Sequence, residues 1–387
     1  MKIQYLLYMV LFIGIYGLLN YYIGRRGWQT IGSRFPRSWA KGYWIIFWIA
    51  AFSYVIAMAG VQFIPGTVSE ILDIIGSYWM AAILYLLLTI AVIDIIRILL
   101  KLFKKFPSNF SNNPNIAFLT GILVIFLVAG ILAYGTWNSR RTHIKHYDID
   151  IAKKADTLKQ LHVAMVSDIH LGKVVNKKRL AKMVEGINRL NPDIILIAGD
   201  ILDSSLEPFA NENMGEEFKK LKSKYGVYAA LGNHDYFSGS MEEKVSLFND
   251  AGINVLRDNA VKIGETFYLA GREDKSSVRR KLGGERKSLE SVLGNVDKSL
   301  PVILLDHQPV NLSEAVGQGV DLQLSGHTHQ GQLFPIDLIT NKVFEVDYGY
   351  LRKENTHFIV TSGYGTWGPP IRVGISGEIV DITINFK

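Results

Sequence analysis

One stretch decides the fold of this chain: Val163-Ala-Met-Val-Ser-Asp168-Ile-His170-Leu-Gly172. Residues 163–166 are apolar and predict a short buried strand, and the run then breaks into Asp-x-His-x-Gly. In open α/β sheets, ligand sites form beyond the carboxyl ends of the strands. We therefore expect Asp168 and His170 to face such a site.

Four later apolar runs end in the same way, with Asp, Asn or His following a predicted strand. They cover residues 194–200, 227–235, 302–307 and 322–329. Five strands that deliver these residue types to one edge predict one site. Carboxylate, imidazole and amide groups together suit Mn, Fe or Zn more than a soft metal. Two such ions about 3.5–4 Å apart can hold a phosphoryl group and supply a metal-bound hydroxide.

The charge of the chain is unevenly distributed. The formal net charge is +7 over 387 residues, but residues 1–150 hold 13 basic and 5 acidic residues, a net of +8. The remaining 29 basic and 30 acidic residues give a net of −1, so no broad nucleic-acid-binding surface is expected there. The chain contains no cysteine, which excludes disulfides and thiolate chemistry.

The first 139 residues contain four apolar runs, each long enough to cross a bilayer, which requires about 20 helical residues. The runs cover residues 5–23, 43–64, 78–100 and 116–137. Buried core helices are the alternative, but four such runs leave no polar faces to cover them. We predict an all-α transmembrane segment over 1–139, with an uncleaved first span, and a separate domain over 140–387.

Charges in the loops predict the orientation of this segment. Loop one holds five Lys/Arg, the third loop holds three (Lys104 and Lys105 among them), and the second holds only Glu70 and Asp73. Cytoplasmic loops are rich in Lys and Arg, so the domain over residues 140–387 is expected on the exterior face of the cell membrane. Three basic residues at 140–145 argue weakly for the opposite orientation. The charged residues 94 and 97, within the third run, are either functional or a pair that extends toward the membrane surface.

After residue 140, strands alternate with helical patterns, which predicts an α/β domain with a parallel core sheet. Helices are predicted over 176–190, 213–222 and 241–251. The second half is richer in strands and predicts a second sheet packed on the first. Its strands are predicted over 266–270, 302–305, 322–324, 342–346, 357–361, 371–373 and 379–384.

The ordered motifs resemble the calcineurin-like metallophosphoesterase family, especially its membrane-associated bacterial branch. The matching pieces are Asp168-x-His170, Gly199-Asp200, Gly232-Asn233-His234-Asp235, His307 and Gly326-His327-x-His329. One departure is Gln330, where Gly is frequent in that branch. The resemblance implies a four-layer αββα sandwich over residues 140–387.

The resemblance also implies a centre of two divalent metal ions, with Mn, Fe or Zn expected. The first ion would be bound by Asp168, His170 and His329. The second would be bound by Asn233, His307 and His327, and Asp200 would bridge the two.

Two further residues would act without binding metal. His234 would stabilise or protonate the leaving-group oxygen, since a free imidazole titrates near neutral pH, and Asp235 would orient its ring. Arg272 and Arg372 are either phosphate contacts or structural.

These inferences predict a membrane-anchored phosphoesterase that hydrolyses a phosphomonoester, phosphodiester or pyrophosphate by attack of metal-bound hydroxide. A position at the bilayer suits a lipid-linked or envelope-associated substrate. The main alternative is a non-catalytic membrane module that keeps the fold for binding or sensing. A nuclease and a transporter with a regulatory domain are further alternatives, with less support from charge and from the four spans.

Overall fold

The computed structural model describes residues 2–59, 66–103, 113–237, 239–280 and 286–387. The chain forms two compact units, residues 1–136 with 368–370, and residues 137–367 with 371–387. The predicted end of the second span, residues 60–64, lies outside the described residues, as do Lys104 and Lys105.

Four long helices build the first unit, and each is long and apolar enough to cross a membrane. They are α1 (Lys2–Thr30), α2 (Ala40–Ala59), α3 (Gly66–Leu102) and α4 (Pro114–Ser139, whose last residues belong to the second unit).

Helix α3 is longer than predicted. The second loop was expected to contain Glu70 and Asp73, but both lie within α3, which has 37 residues. At 1.5 Å per residue this helix is about 55 Å long, whereas the hydrocarbon core of a bilayer is about 30 Å thick. Glu70 and Asp73 therefore lie in the first third of a continuous helix and do not interrupt it.

Polar side chains link these helices in an otherwise apolar environment. Trp79 of α3 donates from Nε1 to the side-chain oxygen of Asn20 of α1, at 3.0 Å. The Tyr43 hydroxyl of α2 donates to the Gly24 carbonyl of α1, at 2.8 Å. Hydrogen bonds of this kind hold membrane helices together because water is absent.

The described residues of the second unit form twelve strands in two six-stranded sheets. The first has the order β1 (Thr142–Ile151), β12 (Gly377–Phe386), β2 (Gln160–Val166), β3 (Ile194–Ala198), β4 (Val227–Ala230) and β5 (Ile253–Val255). The second has the order β10 (Gly349–Lys353), β11 (Thr356–Val360), β9 (Leu322–Ser325), β8 (Val302–Leu305), β7 (Phe267–Gly271) and β6 (Asn259–Ile263).

In the part of this unit that the structure describes, eight shorter helices accompany the sheets. They are α5 (Lys177–Leu190), α6 (Glu207–Asn211), α7 (Gly215–Phe218), α8 (Met241–Asp250), α9 (Lys275–Arg280), α10 (Leu289–Val292), α11 (Leu312–Gly317) and α12 (Asp337–Val343). Helix α5 begins after Asn176, whose side chain accepts a hydrogen bond from the backbone of Arg179, as an N-cap residue does.

The alternation of side chains along the strands builds the layers. In β3, Ile194 and Leu196 pack against the second sheet, while Ile195 and Ile197 pack against helices of the outer layer. A third apolar cluster joins the outer face of the second sheet to α10 and α11. The predicted four-layer αββα sandwich is therefore confirmed.

Strand pairing places the site. Strands β2, β3 and β4 run parallel, as do β8 and β9. Their carboxyl ends therefore lie at one edge of each sheet, next to the residues that the motifs supply.

Three local predictions were wrong. Residues 342–346 were predicted as a strand, but α12 continues to Val343. Residues 371–373 contribute only a single bridge, between Val373 and Leu333, and the helix over 213–222 is reduced to α7. Conversely, β1 was missed although Tyr147, Ile149 and Ile151 alternate along it. It pairs in parallel with β12 at the edge of the first sheet, a distant partner that no local pattern specifies.

Candidate metal centre

All seven predicted ligand residues follow the carboxyl ends of β2, β3, β4, β8 and β9. The structure brings them together in two groups that share one site. Among the described residues, three sets have ligand atoms close enough to hold a metal ion: Asp168, His170 and His329; Asp168, Asp200 and His307; and His170, Asp203 and His234. The seven predicted residues are Asp168, His170, Asp200, Asn233, His307, His327 and His329.

Asp168, His170 and His329 form the first group. The Nε2 atoms of the two histidines lie 3.1 Å apart. Asp168 Oδ1 is 3.2 Å from Nε2 of His329 and 4.0 Å from Nε2 of His170. All three residues are buried, so their ligand atoms face one another in a site shielded from water.

The second group contains Asn233, His307 and His327. Asn233 Oδ1 lies 3.2 Å from Nε2 of His307 and 2.8 Å from Nδ1 of His327. Asp200 Oδ2 lies 3.2 Å from His307 Nε2 and 3.8 Å from His170 Nε2. The carboxylate of Asp200 therefore lies between the two groups.

The surroundings of His307 fit a bound cation. Its Nδ1 lies 2.8 Å from the Ala198 carbonyl, and its Nε2 faces the oxygens of Asp200 and Asn233. Every neighbour is an acceptor, but a neutral imidazole carries only one N–H. Burial lowers the pKa of His307, but the carboxylates of Asp200, Asp168 and Asp274 together outweigh burial and raise the pKa well above its usual value. A divalent cation on the Nε2 side would remove this need for a second proton.

Five of the seven residues have left-handed backbone conformations, which non-glycine residues adopt rarely and at a cost of about 1–3 kcal/mol each. Such strain persists where the surrounding structure enforces it. The φ angles are 51° at Asp168, 50° at His170, 52° at Asp200, 72° at His327 and 48° at His329. Gln330 stands where the membrane-associated bacterial branch often has glycine. Its φ of 47° is also left-handed, a conformation that glycine adopts readily.

Because Gly326 has no side chain, the backbone of the last motif can pass close to Asp168 and Ser167. A Cβ atom there would lie 2.1 Å from Asp168 Oδ2 and 2.1 Å from Ser167 Oγ. Since Asp168 also accepts the backbone N–H of His327, it cannot withdraw without breaking the turn.

Replacing Gly326 by alanine is expected to weaken metal binding at least about tenfold, the effect of displacing groups that position ligands. Metal content after dialysis, measured by elemental analysis, checks this. The matched control is Gly317→Ala at the end of α11, where the new methyl group meets open space. Full metal content in the Gly326 variant would contradict the packing of this turn.

His234 lies against the first group. Its ring is 4.6 Å from that of His170, in an edge-to-face arrangement, and its backbone N–H donates to Asp200 Oδ1 at 2.8 Å. Burial lowers the pKa of His234, although the Asp200 carboxylate opposes this. The imidazole is therefore neutral at neutral pH and able to exchange a proton.

The residue that orients the His234 ring is Asp203, and the prediction of Asp235 for this role was wrong. His234 Nδ1 lies 2.5 Å from the Asp203 carbonyl oxygen. The Asp235 carboxylate instead accepts backbone N–H groups of Ile201, Leu202 and Gly232, at 3.3, 2.9 and 2.9 Å. It ties the turn after β3 to the turn after β4.

Asp203 was not predicted. It lies three residues after Asp200, and its Oδ1 is also 3.4 Å from His170 Nδ1. The sequence signal was a second carboxylate one turn beyond Gly199-Asp200, which by itself is common.

Asp235→Asn is expected to destabilise the protein. The new amide group would face a backbone N–H and leave it unpaired, at a cost of about 1–3 kcal/mol. A lower midpoint of thermal unfolding, with two metal ions still bound, is the expected result. A reduced kcat with an unchanged midpoint of thermal unfolding would instead support the prediction that Asp235 orients the His234 ring.

Both candidate phosphate-binding arginines are structural. Arg372 is fully buried and donates from Nη2 to the carbonyls of Ser362 and Gly365, at 2.7 and 2.6 Å. Burial lowers its pKa to about 10. Arg272 donates to Glu314 at 2.9 Å. Their guanidinium groups organise loops around the site.

An exposed apolar surface borders the site. We call it the apolar rim, and it comprises Phe237, Phe334, Leu338, Ile339, Val343 and Trp367, which are 37–69% exposed. The rings of Phe237 and Trp367 lie 4.3 and 6.4 Å from that of His234. Helix α12 packs against the turn that carries His329. Apolar patches of this kind mark binding surfaces.

Comparison with known proteins gives a consistent picture. The model of the calcineurin-like phosphoesterase family matches residues 161–331. An uncharacterized metallophosphoesterase of Aquifex aeolicus is 32% identical over 265 residues, 68% of this chain and 99% of that protein.

Two further relatives are longer than the matched region. A transmembrane protein with metallophosphoesterase domain from Danio rerio is 31% identical over 278 residues, 69% of this chain and 63% of that protein. A putative metallophosphoesterase of Caenorhabditis elegans is 36% identical over 232 residues, 57% of this chain and 48% of that protein. The chain therefore spans less than two thirds of the length of these two relatives.

Proposed function

Because this chain belongs to the calcineurin-like metallophosphoesterase family, we propose that it is a membrane-anchored phosphoesterase that requires two divalent metal ions. It hydrolyses a phosphomonoester, a phosphodiester or a pyrophosphate. One observation carries the proposal: seven residues with oxygen or nitrogen ligand atoms, from the ends of five strands, converge on one site beside His234. Residues 140–387 are the catalytic domain, and the four long helices are a multi-pass anchor.

The ligand residues divide between the two ions as the two groups do. One ion would be held by Asp168, His170 and His329. The other would be held by Asn233, His307 and His327, and Asp200 is placed to contribute to both. Bound divalent ions polarise phosphoryl oxygens and lower the pKa of water.

The remaining chemistry belongs to His234. Its Nδ1–H donates to the Asp203 carbonyl, which leaves Nε2 as the atom that exchanges a proton. To act as an acid, the ring first takes up a second proton on Nε2 from solvent. It donates that proton to the leaving-group oxygen as the phosphorus–oxygen bond breaks, and it returns to its neutral form. Because His234 is held through its backbone by Asp200, the proton donor and the metal ligands keep a fixed spacing.

We further propose that the substrate carries an apolar chain. The apolar rim lies beside His234, and an exposed apolar surface of this kind can bind a hydrocarbon chain. A lipid-linked phosphate or pyrophosphate would place its phosphoryl group at the metal ions and its chain against Trp367 and α12. The basic first loop of the anchor supports a cytoplasmic position for that loop, hence an exterior position for the catalytic domain.

Hydrolysis by the full-length protein in detergent tests the proposal. p-Nitrophenyl phosphate, bis-p-nitrophenyl phosphate, a lipid phosphate and its water-soluble head group are compared after loading with Mn, Fe or Zn. We expect metal-dependent turnover and a lower KM for the lipid phosphate than for its head group. Two bound ions without turnover of any substrate would favour the non-catalytic binding module. Equal KM values would contradict the apolar chain.

A further inference from the structure

A cavity of about 250 Å³ lies among the four long helices of the first unit. It is bounded by the carboxyl-terminal parts of α1 and α3 and the amino-terminal parts of α2 and α4. Most of its wall is apolar, contributed by Ile23, Phe47, Trp79, Leu86, Ile90 and Val124. A cavity with such a wall suits a hydrocarbon chain.

Charged side chains lie in the wall of the same cavity. Asp94 accepts a hydrogen bond from the Tyr22 hydroxyl at 2.6 Å and another from the Arg26 guanidinium. Arg97 Nη1 lies 3.8 Å from Asp94 Oδ1. Arg26, Asp94 and Arg97 all line the cavity, and Asp94 is the acidic side chain among the described lining residues. Two guanidinium groups therefore face one carboxylate, which leaves one positive charge without a partner in the cluster.

This cluster differs from basic side chains that merely extend toward the membrane surface. Arg26 is bonded to Asp94 on another helix, and its guanidinium lies 5.5 Å from the centre of the Tyr22 ring. Arg26 lies four residues before the end of α1 and Arg97 five residues before the end of α3, and their side chains are 36% and 37% exposed. An excess charge beside an apolar cavity wall is costly unless an anion balances it.

We infer that the cavity binds an anionic phospholipid, with its phosphate at Arg26 and Arg97 and an acyl chain along the apolar wall. Guanidinium groups bind phosphate through paired hydrogen bonds. Free phosphate shares this chemistry but would leave the apolar wall uncovered. The inference rests on the four helices spanning a membrane and is independent of the proposed catalytic activity.

Fluorescence of Trp79, which lines the cavity, tests the inference. The full-length protein is placed in nanodiscs of phosphatidylcholine with a small fraction of phosphatidylglycerol brominated on its acyl chains. Subtraction of the Trp79→Phe signal isolates Trp79. We expect quenching at least about twofold greater than with brominated phosphatidylcholine at the same fraction, given the attraction of basic residues to anionic lipid. Equal quenching by the two lipids would overturn the inference.

The arginines are tested by Arg26→Gln/Arg97→Gln, which should abolish the preference for the anionic lipid. Arg25→Gln/Arg37→Gln removes the same charge from residues that do not line the cavity and should retain it. If the first double variant does not fold, Arg97→Gln alone, which leaves the Arg26–Asp94 pair in place, should reduce the preference. A preference for the anionic lipid that is unchanged in Arg26→Gln/Arg97→Gln, or in Arg97→Gln alone, would overturn the inference. Inorganic phosphate in nanodiscs without brominated lipid should not alter Trp79 emission, and a saturable change would identify a free-phosphate site instead.

Discussion

Replacing Asp200 by asparagine is expected to reduce kcat by at least about 10³-fold, because several kcal/mol of metal-derived stabilisation are lost and each 1.4 kcal/mol is worth tenfold. The carboxylate lies between the two ligand groups, 3.2 Å from His307 Nε2 and 3.8 Å from His170 Nε2. An amide of the same shape carries no charge and cannot serve both groups with equivalent oxygens. Metal content should fall below two ions per chain.

Asp156→Asn is the matched control for this variant. Asp156 has nearly the same backbone conformation, φ 51° against 52°, but it is exposed and lies in the turn between β1 and β2. The control should keep its metal content and its turnover. Wild-type turnover in the Asp200 variant would contradict the assignment of the site.

Replacing His234 by alanine is expected to reduce kcat by about 10²–10⁴-fold, the usual contribution of a positioned general acid. Both metal ions should remain bound, because His234 does not belong to either ligand group. The loss should depend on the leaving group. An alkyl phosphate needs a proton as its alkoxide departs, whereas p-nitrophenolate leaves readily without one, so the variant should retain more activity on the nitrophenyl ester.

His146→Ala, on the exposed edge strand β1, is the control for the loss of an imidazole. It should leave both rates unchanged. An equal loss on both substrates in the His234 variant would indicate that His234 contacts the phosphoryl group and does not protonate the leaving group.

The convergence of the candidate ligand residues could be predicted from sequence because their signal is local. Each apolar run marks a buried strand, and each break after it marks the carboxyl end. Parallel pairing of β2, β3 and β4 then brings Asp168, Asp200 and Asn233 together, whatever the details of the loops. The predicted layers follow from the same alternation of side chains.

The partner of the His234 ring could not be predicted in this way. Asp235 is adjacent in sequence, and Asp203 is the distant residue. The left-handed turn at Asp200 brings the backbone carbonyl of Asp203 to Nδ1 of His234. The Asp235 carboxylate instead accepts hydrogen bonds from three backbone N–H groups. Which of the two aspartates meets the ring is decided by turn geometry.

Two errors in the secondary structure have a similar origin. The acidic residues Glu70 and Asp73 suggested a loop, but no proline interrupts residues 66–77 and α3 continues through them. Residues 342–346 have high strand propensity, yet Val346 packs against the third apolar cluster without pairing to a strand. Tertiary contacts override weak local preferences.

The most direct test of the account is a metal titration of the full-length protein stripped of metal. Bound metal, counted by elemental analysis, and hydrolysis of p-nitrophenyl phosphate are measured in the same samples. The account predicts no turnover without metal and full turnover only as binding approaches two ions per chain. Turnover that persists in the stripped protein, or that is complete with one ion per chain, would contradict a centre of two metal ions.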